Sequence, residues 1–449
     1  MGIRHARALS IVVLGGVAAV LLVASSHRAR ARDGMTQARG PLSPDPAIVH
    51  YRYPIAAAQI DPLDDLSATI TALEVRVSQP VASPMEMADL ADLYLRRAQM
   101  AADPDDYKRS ETVAKRSLEL LRYPSSAPLT LAKLASARHE FRTAIALARE
   151  FLAHAKSPGA LGVLASSHLA RGELERASEA AEWAVSVKPD SAGYLMRALV
   201  FQAQGRDAEA AFDFAHAAVI EEASEPEEAA RLRTLWARFL LRRGDWAGAE
   251  LLLAEAVRIA PDYPLAVAQQ GELALRTGNP KLAKQRFEQA FISGHQVRYL
   301  IDEARAQELA GDLAGATSTR GQVEKLVRGE LRDNGLGHLL DLVEILVDRG
   351  TASDVTEAIS LARDEVLARP GADTRFQLAR ALAAGSNRRE ALEAVRGALA
   401  TGTRDARVYE LASRLERAGN SPRADLYAGE AAKLDAGSSG WRVLGLRVP

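Results

Sequence analysis

The sequence predicts an all-α protein, an α-solenoid of stacked antiparallel helical hairpins. Three observations carry that expectation. Glycines that would end a first helix recur at Gly172, Gly205, Gly244, Gly278, Gly311, Gly350 and Gly419, in steps of 33, 39, 34, 33, 39 and 69 residues, with Ser386 in the vacant place. Columns of small residues keep phase with them: Ala177, Ala210, Ala249, Ala283, Ala316 and Ala424 lie five residues after, with Ala358 and Ala391 in the equivalent places of two irregular units. Seven residues before stand Ala165, Ala198, Ala237, Gly271, Ala304, Val343 and Ala412, joined by Ala379. Finally, aromatic residues make up 5% of the chain while Ala and Leu abound, which suits close-packed helices better than strands.

Each column has a physical reason. Glycine after a helix supplies the left-handed conformation that lets the chain reverse. Asp or Asn follows it in Gly244-Asp245, Gly278-Asn279, Gly311-Asp312 and Gly419-Asn420, where it caps the next helix. Small residues on facing positions let two antiparallel helices approach, and Phe201, Phe214, Leu240, Leu253 and Phe287 fill the space between successive hairpins. Pro189, Pro261 and Pro370 stop second helices. No hairpin buries its apolar face alone, so the units must stack.

The pattern resembles the tetratricopeptide repeat, a unit of about 34 residues. Residues 191–222 carry the resemblance through Tyr194, Ala198, Phe201, Ala210, Phe214 and Ala217, and residues 230–261 through Trp236, Ala237, Ala249, Ala256 and Pro261. It is strong over 158–296 and 372–436 and weaker over 297–371, where Val323 and Glu365 replace a small residue and three residues are inserted after Gly350. Earlier units retain Ala132, Ala144 and Ala148, and a segment from Ala88 opens the first. The resemblance implies a right-handed superhelix of about ten hairpins over 85–436, with a concave groove lined mainly by first helices.

Ahead of the array, Arg4, His5 and Arg7 precede an uncharged run from Ala8 to Ser26, the form of a signal peptide or a membrane anchor. Ala29-Arg30-Ala31 offers a cleavage site, but Arg28, Arg30 and Arg32 resist translocation, which favours a retained anchor. Basic residues on the two flanks are nearly balanced and leave the orientation open; export of the following domain is the common outcome. Residues 1–32 are therefore expected to be a signal peptide or transmembrane signal anchor. Residues 33–60, with Pro41, Pro44, Pro46 and Pro54, read as an extended, mobile linker. A helical lead-in capped by Asp61 follows over 61–84, and residues 437–449 form a tail with WRVLGLRV as the one candidate strand.

Composition narrows the function. With no cysteine, disulfides, thiol nucleophiles, cysteine-ligated metals and a lipoprotein anchor are excluded. Formal net charge is −1, so no nucleic-acid partner is expected. The nine histidines form no HExxH, and phosphate-loop, nucleophile-elbow and dinucleotide fingerprints are missing. His168 and His216 read as packing residues; His338 with Asp341 lacks a third ligand. An enzyme is not expected, nor any cofactor or metal. The acidic stretch EEASEPEEAARLR at 221–233 reads as a solvated loop, and the arginines of RFLLRRGDW at 238–246 suit a helix C-terminus.

Function then falls to the groove. Carried onto this sequence, the family's groove positions include Arg231, Arg238, Arg242, Glu272, Arg276, Arg305, Glu308 and Arg380. Their alternating charge implies an extended protein or peptide partner. The Lys/Asn clamp used by family members on chaperone C-termini is not visible, so no chaperone partner is expected. The leading expectation is a non-catalytic interaction scaffold of the cell envelope, either anchored with an exported repeat domain or released after cleavage. The alternative is a structural assembly subunit of a bacterial envelope secretion or polysaccharide-export complex. The excess of Arg over Lys points to a bacterial source.

Overall fold

A computed structural model describes residues 42–55, 62–101, 103–223, 226–332 and 338–434. These residues form 22 helices and no strand, and the architecture is an α-solenoid of tetratricopeptide-type hairpins. A short helix α1 (Pro46–Val49) and a lead-in α2 (Pro62–Val77) come first. Ten antiparallel hairpins follow: α3 (Pro84–Ala101) with α4 (Pro104–Leu120), α5 (Ala127–Ala137) with α6 (Phe141–Leu152), α7 (Pro158–Ala170) with α8 (Leu174–Val187), α9 (Ser191–Gln204) with α10 (Asp207–Val219), and α11 (Pro226–Arg242) with α12 (Trp246–Ile259). The second five are α13 (Pro264–Arg276) with α14 (Pro280–Gly294), α15 (Val297–Leu309) with α16 (Leu313–Arg332), α17 (Leu339–Arg349) with α18 (Ala352–Ala368), α19 (Ala372–Ala384) with α20 (Arg388–Leu399), and α21 (Ala406–Arg417) with α22 (Arg423–Leu434).

The turns inside the hairpins share one motif. Gly172, Gly205, Gly244, Gly278, Gly311 and Gly350 all take positive φ. After most of them the next residue's N–H reaches back to a carbonyl five residues earlier, as in Arg206 to Phe201 (2.9 Å), Asn279 to Ala274 (2.8 Å) and Asp312 to Gln307 (2.9 Å), which closes a Schellman turn. Asp245, Asn279 and Asp312 then cap the following helix through their side chains. Three turns depart from the glycine rule. His139 (φ 61°) and Ser386 (φ 58°) take the left-handed place in the α5–α6 and α19–α20 turns, and in the last it is Asn420 (φ 55°) rather than Gly419. Asn420 therefore supplies the reversal and not the helix cap, as Asn is the non-glycine residue that best tolerates this region.

The small-residue columns are the contact surfaces of the hairpins. Ala165, Ala177, Ala198, Ala210, Ala237, Ala249, Ala283, Ala304, Ala316, Ala379, Ala391 and Ala412 are all fully buried. Gly271 shows why one column position gave up its methyl: a Cβ there would lie 2.8 Å from the Phe287 ring. Gly271→Ala is expected to lower the thermal midpoint, with overpacking of roughly 1–3 kcal/mol outweighing alanine's better helix propensity; a rise in midpoint would contradict this packing account. The largest core cluster centres on Phe214, Trp236 and Phe239, with Phe214 and Trp236 stacked at 6.1 Å.

The segment expected to be a mobile linker is, over residues 42–55, a docked arm. Leu42, Ile48 and Val49 join the Trp236 cluster, while Tyr51 packs on Ala229, Ala230, Ala256, Ile259 and Ala266. The Tyr51 N–H donates to Glu255 (2.7 Å), and the Val49 carbonyl accepts from Arg233 Nε (2.6 Å). Arg233 is wholly buried and makes a bidentate pair with Glu221 (2.7 and 2.8 Å). The start of the acidic stretch is thus a buried ion pair rather than a solvated loop. Burial of apolar side chains every second residue here overrides the composition of a linker. α1 touches the second helices α10 and α12, and the arm also reaches the first helices α11 and α13 through Ala229, Ala230, Arg233 and Ala266. The signal or anchor over 1–32, Asp61 and the candidate strand over 441–448 lie outside the described residues. No helix among the described residues is long and apolar enough to cross a membrane.

Candidate functional site

The solenoid curls until its two edges meet. The turn between α7 and α8 touches the loop between α18 and α19: Arg171 Nη1 donates to the Ala368 carbonyl (3.4 Å), and a Cβ on Gly371 would sit 2.9 Å from the Ala170 oxygen. One turn earlier, Arg369 Nη1 lies 3.5 Å from His139 Nδ1. Burial, then Arg369, pushes the His139 pKa down to about 4, so its neutral ring accepts from the guanidinium. Two turns later, Arg243 grips Asp207 with two bonds of 2.8 Å and reaches the Arg404 carbonyl (3.4 Å). Hairpins two to five therefore rest against the loops that follow hairpins eight and nine.

Inside this closure is a cavity of about 460 Å³, lined chiefly from the first helices α11, α13, α15, α17, α19 and α21 and the loops before them. Eight arginines and six carboxylates face it, with Tyr299, Phe376 and a few aliphatic side chains. Most of the charge is paired on the wall. Arg276 holds Glu272 (2.8 Å), Arg298 holds Asp302 (2.7 Å) and Glu344 (2.9 Å), and Arg407 holds Asp405 (2.6 Å). Burial opposes charge on Asp302 and Asp405, yet the arginines beside them win and hold both carboxyls below the usual range. Asp341, more weakly matched, is pushed up by burial. Burial, then the nearby Arg298, draws the Arg305 pKa down to about 9 although it also pairs with Glu344.

The predicted groove residues divide. Arg238, Arg242, Glu272, Arg276 and Arg305 come together on the cavity wall. Arg231 points elsewhere and pairs with Glu228 (2.9 Å) at the surface. Glu308 is taken by Arg320 of the same hairpin. Arg380 is buried against Asp348 (2.9 Å), where it braces α19 on α17 rather than offering a binding surface. His338 pairs with Glu330 (2.6 Å), not with Asp341. Sequence reasoning missed Arg298 and Arg407. Arg298 stands six residues before its small residue Ala304, as Arg231 does before Ala237, so the same rule was able to find it. Arg369 and Arg404 are reached only through the loops, which the helix-face rule does not cover.

No family model matches the chain, and no curated protein matches it. Among solved structures, the human IFIT1 dimer with PPP-AAAA aligns with a TM-score of 0.45 at 15% identity, covering 85% of this chain and 96% of that one. Yeast Tom70 aligns with a TM-score of 0.37 at 12% identity, covering 85% and 92%.

Proposed function

We propose that the protein is a non-catalytic binding scaffold of the cell envelope that receives a protein or peptide partner at its concave interior. One observation carries the reading: residues from six successive first helices, distant in sequence, converge on one charged cavity. That is how a repeat array makes a binding surface out of units that are each inert. Its lining contains no serine, threonine, cysteine, lysine or histidine among the described residues, and arginines already pair with five of its six carboxylates. Such a wall offers charge and hydrogen bonds, not a nucleophile with its base. The closed edges mean that a partner presents an end or a projecting loop along the superhelix axis rather than lying across an open groove. The basic head and apolar run at the N-terminus support placement at a membrane.

The test is affinity capture of the tagged full-length chain from its native envelope, beside a variant with Arg238→Glu and Arg242→Glu. The expected result is a captured protein that is lost, or falls at least tenfold, in the charge-reversed variant. An identical capture profile from both chains would remove the cavity from the binding surface. Sequencing the N-terminus of the mature protein separates the two versions of the address, since an intact Met1 excludes release by cleavage.

A further inference from the structure

The cavity wall is not uniformly self-neutralised. Arg238 and Arg242 stand four residues apart on α11, so both guanidiniums project from one face of the helix into the same space. Neither has a carboxylate within ion-pairing distance among the described residues, and the Nε–H of Arg238 is buried with no acceptor. The nearest candidates are committed elsewhere: Glu272 to Arg276 and Asp405 to Arg407. Asp373, which also faces the cavity, is exposed and bonds to neither arginine. A buried donor without an acceptor is costly, and two like charges beside each other add to that cost. The contrast with Arg276, Arg298 and Arg407 on the same wall is sharp, since each of those has its carboxylate in place.

We propose that Arg238 and Arg242 form an oxyanion-receiving subsite, which takes a carboxylate or phosphate group of the ligand between the two guanidiniums. This deepens the scaffold reading and rests on it, in that the anion is the group by which a ligand is oriented in the cavity. The chemistry is specific in kind. An oxyanion accepts paired N–H bonds from each guanidinium and supplies the acceptor that Arg238 Nε lacks. It also offsets the repulsion between the two arginines. The Arg238 pKa, drawn down to about 10 by burial and then by Arg242, rises once the anion is bound. A cavity of about 460 Å³ admits a ligand head of the size of a small metabolite or a few peptide residues, not a folded domain.

The test is isothermal titration of the purified full-length chain with inorganic phosphate and, separately, with succinate, each against chloride at matched ionic strength. Three chains are compared: the native chain, the double variant with Arg238→Gln and Arg242→Gln, and Arg231→Gln as a control two turns back on the same helix, outside the cavity lining and paired with Glu228. Circular dichroism confirms that each is folded. At least one anion is expected to bind the native chain and the Arg231→Gln chain alike, and at least tenfold more weakly to the double variant. Phosphate binding alone assigns a phosphorylated ligand; succinate binding alone assigns the carboxylates of an acidic peptide or organic acid. If neither anion binds the native chain above chloride, or the double variant binds within twofold of it, the subsite does not exist. That failure would leave the capture experiment untouched, because a partner held through other parts of the wall would still be recovered.

Discussion

Arg233→Ala is expected to lower stability by about 3–5 kcal/mol, the range for breaking one side of a buried ion pair. The residue is wholly inaccessible and serves four acceptor atoms at once: both oxygens of Glu221, the Ala229 carbonyl, and the Val49 carbonyl of the arm. Its loss strands a buried carboxylate and releases the clasp on the arm. The midpoint of denaturant unfolding, followed through Trp236 fluorescence, reads the first effect; faster proteolysis within residues 42–55 reads the second. Combining Arg233→Met with Glu221→Gln removes the charge on both sides and should recover most of the loss. A single-variant loss below about 1 kcal/mol would mean that water reaches Glu221 and that the arm is held by apolar contact alone.

Gly371→Val should part the two edges of the superhelix. Gly371 has an ordinary extended backbone, so a side chain there carries no conformational penalty of its own. Its Cβ, however, would stand 2.9 Å from the Ala170 carbonyl across the contact, and a backbone atom moves only if the edges separate. The expected result is a larger radius of gyration in small-angle scattering and a loss of roughly 1–3 kcal/mol from the crowding. Gly278→Ala is the matched control. That glycine has φ +77° with open space around it, so the substitution costs about 1 kcal/mol in backbone strain and leaves the radius unchanged. An unchanged radius in Gly371→Val would show that the contact at this loop yields locally while the closure stands.

The fold was legible because a repeat writes its constraints many times. One alanine says little, but a column of them in phase with turn glycines has a single geometric meaning, and the hairpin boundaries follow. The arm was not legible by composition, since prolines and small polar residues surround it. The signal was local and short: Val49, Tyr51 and Tyr53 alternate with His50 and Arg52, the pattern of an extended segment with one buried side. The helix-face rule brought five of its eight residues to the cavity. Arg380 and Glu308 escaped it because the same helix faces also meet neighbouring helices, and a charged side chain there is spent on a partner such as Asp348 or Arg320. The meeting of the edges was out of reach altogether. It depends on the sum of small rotations from one hairpin to the next, and no single residue pair encodes that sum.

A linear stack of repeats behaves like a zipper, in which each unit answers only to its neighbours and the ends fray first. This array is tied across residues 197 positions apart, from Arg171 to Ala368. Fraying of the last hairpins therefore loosens a seam that the early hairpins share, and melting at the C-terminal end is felt near the N-terminal one. The tie also turns repeat number into a fixed dimension. Deleting one hairpin from the middle would leave every remaining unit intact yet bring the wrong turns face to face, so this protein cannot lengthen or shorten by whole repeats as an open solenoid does.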